Sequence, residues 1–164
     1  MFDIKKINSL DKSEFLSIFG NVFEKSTWIS EEAFKLKPFK NLDSFVSKII
    51  EIYEKSDDET IKEILNLHPE LAVEKKLTEN SEIEQLKANL KECTLEEFNQ
   101  FKILNLNYRK KFNFPFIIAV KGKNKTEILK KFRERINNSI ENEFLEAKNQ
   151  VKKIAIFRLE ELIE

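Results

Sequence analysis

With 164 residues the chain is sized for one domain, residues 1–164, and can bury enough surface to need neither a disulfide nor a structural metal. Its 29 basic and 29 acidic side chains cancel, which removes the electrostatic footprint of a nucleic-acid or anionic-membrane binder. A single cysteine, a single histidine and the lack of any apolar run near the ~20 residues of a membrane span exclude an internal disulfide, a Cys/His metal cluster and a transmembrane helix.

Few turns are expected from 2 glycines and 3 prolines, so the elements should be long, with 15 phenylalanines filling the core. Asp11 with Glu14 reads as an N-terminal cap before "FLSIFGNVF". Ser30 opens "EEAFKL", which stops at Pro38. "LDSFVSKIIEIYEK" places Phe45, Ile49, Ile52 and Tyr53 at helical spacing. Asp57 or Asp58 caps "ETIKEILNL", whose Ile61, Ile64 and Leu65 share a face, and Pro69 ends that helix or starts the next turn. Thr78 caps "ENSEIEQLKANL", and Thr94 with Glu97 forms a capping box for "LEEFNQFKILNLNYRKKF". Two more helices follow in "KTEILKKFRERI" and "IENEFLEAKNQVKKIAIFRLEELI", the last with Phe144, Val151, Ile154 and Leu159 near a 3.6-residue repeat. The exception is "FNFPFIIAVKG", a β-branched and aromatic run with no partner strand. It reads as a buried extended connector whose backbone groups could face a ligand, or else as a short strand or part of a helix. The fold class is therefore all-α, a multi-helix bundle with one buried extended segment near residues 113–120.

Polar side chains worth weighing cluster in two places. Ser81, Glu84 and Gln85 are related as i, i+3 and i+4 and share one helix face, while Ile83, Leu86 and Leu90 share another that suits the core. Capping and solvation explain the polar trio as well as a site does. His68, directly before Pro69, belongs at a helix end, where it either satisfies the preceding carbonyls or exchanges protons near neutral pH. Glu84 could orient such an imidazole. Arg158 pairs on the surface with Glu161 or offers a planar fork to a carboxylate or urea-like group. Tyr108 suits the core, Arg109 the solvent, and Cys93 has no activating motif. Phosphate loops, GxSxG, HExxH and EF-hand patterns are absent.

Taken in order, "HPELA" at 68–72, "LTENSEIEQ" at 77–85, "FNFPFIIAVKG" at 112–122, "RERINNSIENE" at 133–143 and "VKKIAIFRL" at 151–159 resemble the 2-oxo-4-hydroxy-4-carboxy-5-ureidoimidazoline (OHCU) decarboxylases. The likeness runs from about Phe15 to the C-terminus. It implies an all-helical, cofactor-independent carboxy-lyase without a metal, converting OHCU to (S)-allantoin in urate degradation. His68 and Glu84 would be catalytic. Pro69, Ser81, Gln85, Arg158 and the segment Phe116, Ile117, Ile118 and Ala119 would bind substrate. A cytoplasmic homodimer is the corresponding expectation, with the small-molecule substrate as partner and no nucleic acid or membrane.

Departures from the family pattern are Val73 in place of the usual glycine, a shorter link before Leu77, and "FNFPF" for "FGFPF". At the last of these Asn113 can take a positive φ at modest cost. Two rival readings explain the composition as well: a non-enzymatic helical interaction domain, and a decarboxylase of another ureido or imidazolone acid.

Overall fold

Helix starts follow the capping side chains, because an oxygen placed there accepts a backbone N–H that the first turn leaves without a partner. The computed structural model describes residues 1–72, 79–88 and 90–163. Among these residues the fold is all-α. Helices α1 (Ile4–Ser9), α2 (Lys12–Phe19), α3 (Thr27–Phe34), α4 (Leu42–Glu54) and α5 (Asp58–Leu67) come first. They are followed by α6 (Glu79–Lys87), a 3-10 turn (Leu90–Glu92), α7 (Leu95–Phe112), α8 (Lys125–Arg135) and α9 (Ile140–Leu162). Asp11 and Thr94 form the expected capping boxes with Glu14 and Glu97. Asn124 forms a third with Glu127, and Asp57 accepts the Thr60 N–H at 2.8 Å ahead of α5. The Thr78 cap and the departures at Val73 and before Leu77 lie outside the described residues.

Helices α3 and α4 differ from expectation. The third starts at Thr27, so Ser30 lies inside it, buried, with Oγ donating to the Phe19 carbonyl at 2.7 Å. In α4 the buried set is Phe45, Ile49, Ile50 and Tyr53, with Ile50 rather than Ile52 turned fully inward.

Chain contacts divide the molecule into two compact units. One comprises Met1–Leu67 with Val151–Glu164, the other His68–Gln150, so α9 contributes to both. The first unit is built on aromatic rings. Phe19 lies 5.0 Å from Phe15 and 4.9 Å from Phe45, and Phe23 stacks on Tyr53 at 4.8 Å. Each such ring, fully buried, contributes about 1.5–3 kcal/mol. Asn8 ties α1 to the segment before α4 through a reciprocal pair of 2.8 Å bonds with the Phe39 backbone.

The second unit packs α7 and α8 around residues 112–120. Residues 113–120 carry no helix or strand, and Phe112 at the end of α7, Phe114, Phe116, Ile117, Ile118, Ala119 and Val120 are all buried. Asn113 takes φ 62°, closing α7 in a left-handed cap whose N–H donates to the Arg109 carbonyl. Asparagine tolerates this region because its short polar side chain offsets part of the steric cost. Phe116 then stacks on Phe132 of α8, the ring centroids 3.9 Å apart.

Candidate active site

Helix α5 ends at Leu67, and His68 follows it at once, only 7% exposed, with its Nε2 fully buried. Pro69 next to it is half-buried and cannot extend the helix. Ala72 closes the "HPELA" turn with φ 51°, an uncommon conformation for a residue with a Cβ, so the surroundings must hold it.

They do so from two helices. Gln85 of α6 spans the turn: its Oε1 accepts the Ala72 N–H at 3.2 Å and its Nε2 donates to the Glu70 carbonyl at 3.3 Å. Asn105 of α7 donates from Nδ2 to the Leu71 carbonyl at 3.0 Å. Arg109, one turn further along α7, pairs with Glu70 at 3.0 Å. This last pair is half-exposed and adds little energy; the two amides, both buried, define the turn.

The orientation of α6 corrects the expectation about its faces. Ser81 and Gln85 are buried, Glu84 is half-buried, and Ile83 and Leu86 are exposed. Of the apolar residues expected in the core, only Leu90, just past the helix, is buried. The helix turns its polar face inward because the backbone of residues 70–72 needs hydrogen-bond partners, and an apolar face would leave those buried groups unsatisfied.

The buried segment at 116–119 is anchored along one edge. Arg135 donates from Nη1 to the Ile117 carbonyl at 2.7 Å, and the Ala119 N–H donates to Gln150 Oε1 at 2.8 Å. Thus the Ile117 carbonyl and the Ala119 amide, two of the backbone groups expected to face a ligand, are bonded to side chains. Arg135 is itself fixed by Glu143, with Nε and Nη2 donating to Oε1 at 2.9 and 2.6 Å, and its guanidinium lies 4.4 Å from the Phe116 ring centroid. The Tyr108 hydroxyl donates to the same carboxylate oxygen, while Asn138 donates to the other at 2.7 Å. Burial, followed by the Glu143 carboxylate, holds the Tyr108 phenol well above its ordinary pKa, so it remains a donor.

Arg158 lies in the first unit and is not a surface residue. It is 5% exposed, and its Nη2 lies 3.2 Å from a Glu24 carboxylate oxygen that is likewise buried. Its Nη1 donates to the Asn21 and Val22 carbonyls at 3.2 and 3.4 Å. A guanidinium held by a carboxylate and two carbonyls has a fixed plane, which is the property needed for fork-like recognition. Among the described residues no three His, Cys, Asp or Glu side chains gather as metal ligands. Burial raises the Cys93 thiol, and Glu97 adds to the effect, the opposite of nucleophile activation.

The sequence profile of the OHCU decarboxylase family matches residues 8–160. The chain belongs to the OHCU decarboxylase family. A 2-oxo-4-hydroxy-4-carboxy-5-ureidoimidazoline decarboxylase of Haloferax volcanii is 34% identical over 96% of this chain and 94% of its own length. The "Uric acid degradation bifunctional protein" of Bacillus sp. (strain TB-90) is 40% identical over 99% of this chain, but the chain spans only 32% of that protein. The crystal structure of an (S)-allantoin synthase superposes with a TM-score of 0.79 and 28% identity over 99% of this chain and 54% of that one. Burial in the structure draws attention to residues that periodicity alone had passed over. Glu24, Asn105, Arg135, Glu143 and Gln150 are all buried polar groups. For Asn105 a signal was available: it falls on the same stripe of α7 as Phe101, Tyr108 and Phe112.

Proposed function

We propose that the chain catalyses decarboxylation of OHCU to (S)-allantoin, as a cofactor-independent carboxy-lyase of urate degradation. The support is the near full-length match to an OHCU decarboxylase, together with a histidine turn clamped by buried amides. The substrate's name places hydroxyl and carboxylate on one ring carbon and the ureido group on its neighbour. When the carbon–carboxylate bond breaks, CO₂ departs and the electron pair enters the ring, where an adjacent C=N receives it. The ring then needs only proton movement: the ring nitrogen that received the pair takes up a proton from solvent, the hydroxyl gives up its proton as the carbonyl forms, and the ureido-bearing carbon gains one. The electron sink is inside the substrate, so the protein supplies position, proton transfer and electrostatics.

His68 serves as the general acid/base for these transfers, with Glu84 orienting the imidazole. Ser81 and Pro69 contact the substrate, and Arg158 binds its carboxylate or ureido group. Gln85 has a double duty, since both ends of its amide also hold the turn. Along residues 116–119, the backbone N–H and C=O groups of successive residues in an extended chain point to opposite sides. With Ile117 and Ala119 anchored on one side, the groups of Phe116 and Ile118 on the other are the ones offered to ligand.

The test supplies freshly generated OHCU and follows circular dichroism at the allantoin band. The enzyme yields one enantiomer faster than the spontaneous reaction. Turnover of a different ureido acid but not OHCU would instead favour a related decarboxylase, and no turnover at all an interaction domain. Gln85→Leu, which deletes both bonds to the turn, is expected to lower kcat/KM by about 10-fold or more, through misplacement of His68. Unchanged kinetics in a folded Gln85→Leu enzyme would separate the turn from catalysis.

The expected homodimer has a candidate surface in the exposed apolar side chains Leu95, Ile103 and Leu106 of α7. Leu106→Glu should convert a dimeric elution profile to that of a monomer in light scattering; an unaltered mass would place the interface elsewhere. A cytoplasmic location accords with the single free thiol of Cys93. No helix of the described residues is long and apolar enough to cross a membrane.

A further inference from the structure

Asn105 sits where the helical pattern of α7 calls for an apolar residue. Phe101, Tyr108 and Phe112 share its stripe, and Asn105 itself is only 5% exposed. Its Nδ2 donates to the Leu71 carbonyl at 3.0 Å, which fixes which way the amide faces. Its Oδ1 is fully buried and accepts no hydrogen bond among the described residues. A buried amide oxygen without a donor is unfavourable, and such a group is ordinarily matched by an ordered water or a ligand. Rotating the amide would give up the bond to Leu71, so this position can offer only an acceptor. The turn it holds begins at His68, three residues before Leu71.

We propose that Asn105 is a further substrate-binding residue: Nδ2 anchors the turn that carries His68, and Oδ1 accepts a hydrogen bond from an N–H of the ureidoimidazoline substrate. This rests on the decarboxylase reading given above. The ligand chemistry follows from the acceptor. Ureido and ring N–H groups suit it, whereas a carboxylate, which would be repelled by the oxygen, does not.

The experiment compares the wild type, Asn105→Leu and Asn105→Asp by OHCU turnover and by inhibition with (S)-allantoin. A wild type that does not turn over OHCU would defeat the decarboxylase reading, and this inference with it. With an active wild type, Asn105→Leu should raise KM and the allantoin inhibition constant about 10-fold or more, as expected for one lost hydrogen bond to ligand. Values within about twofold of wild type in folded Asn105→Leu would overturn the inference and leave the decarboxylase reading standing. Should the leucine variant not fold, Asn105→Asp decides. The introduced carboxyl has the shape of the amide, and burial raises its pKa. Protonated, it donates to the Leu71 carbonyl and accepts from the ligand as the amide does; ionised, it repels that carbonyl. The KM of Asn105→Asp relative to wild type should therefore recover as pH falls from about 8 to about 5. A ratio that stays constant over this range would count against Asn105 as a ligand contact.

Discussion

Replacing His68 with alanine is expected to lower kcat by ~10²–10⁴-fold, the usual contribution of a positioned acid/base group. KM should change much less, since a proton-transfer group acts mainly in the transition state and binds the ground state weakly. The fold should survive, because Gln85 and Asn105 hold the turn through the backbone of residues 70–72. Stopped-flow circular dichroism measures the loss, and far-ultraviolet spectra with thermal melting establish that the variant is folded. His68→Asn provides a second variant of similar polarity that cannot relay a proton at neutral pH. If either folded variant turned over OHCU at the wild-type rate, His68 would have no part in the chemistry. The stereochemistry of the product is an additional readout. Without a group to deliver the proton from one face, the residual allantoin should approach a racemate.

The second large effect is on stability. Arg135→Ala strands the Glu143 carboxylate, which is 0% exposed and whose Oε1 accepts both Arg135 and Tyr108. Removing one partner of such a buried pair costs about 3–5 kcal/mol, because the remaining charge keeps its desolvation penalty. For a domain of this size that corresponds to a fall in Tm of roughly 6–20 °C, at about 2–4 °C per kcal/mol. Calorimetry measures it directly. The double variant Arg135→Ala with Glu143→Leu should recover part of the loss, since no charge is then left buried. An Arg135→Ala protein melting within about 2 °C of wild type would show that water reaches Glu143 and that the network is not structural. Activity is expected to fall as well, because the Ile117 carbonyl loses its donor and the segment at 116–119 loses its anchor along that edge.

Much of the helical framework was legible because its signals are local. Capping boxes at Asp11 and Thr94 require only residues three positions apart, and both form. The φ of 62° at Asn113 was foreseeable from the residue's tolerance of the left-handed region. The buried stretch after it was legible as an apolar run without a partner strand. The face of α6 was misread for an equally clear reason. In a helix as short as Glu79–Lys87, spacing separates the polar from the apolar residues, but it does not say which group points inward. The choice depended on the turn at 70–72, whose buried amide and carbonyls are met by polar side chains from α6 and α7.

The amino-acid sequence by itself determined the all-α class, most helix boundaries and the family, since caps, periodicity and ordered motifs are properties of neighbours along the chain. Only the tertiary structure decided which polar residues are buried and what they hold: Asn105 on Leu71, Arg135 on Ile117, Gln150 on Ala119 and Glu24 on Arg158. The physical reason is that a hydrogen bond spanning 31 or 34 residues leaves no periodic trace in the chain; it exists because a buried backbone group has no water to turn to.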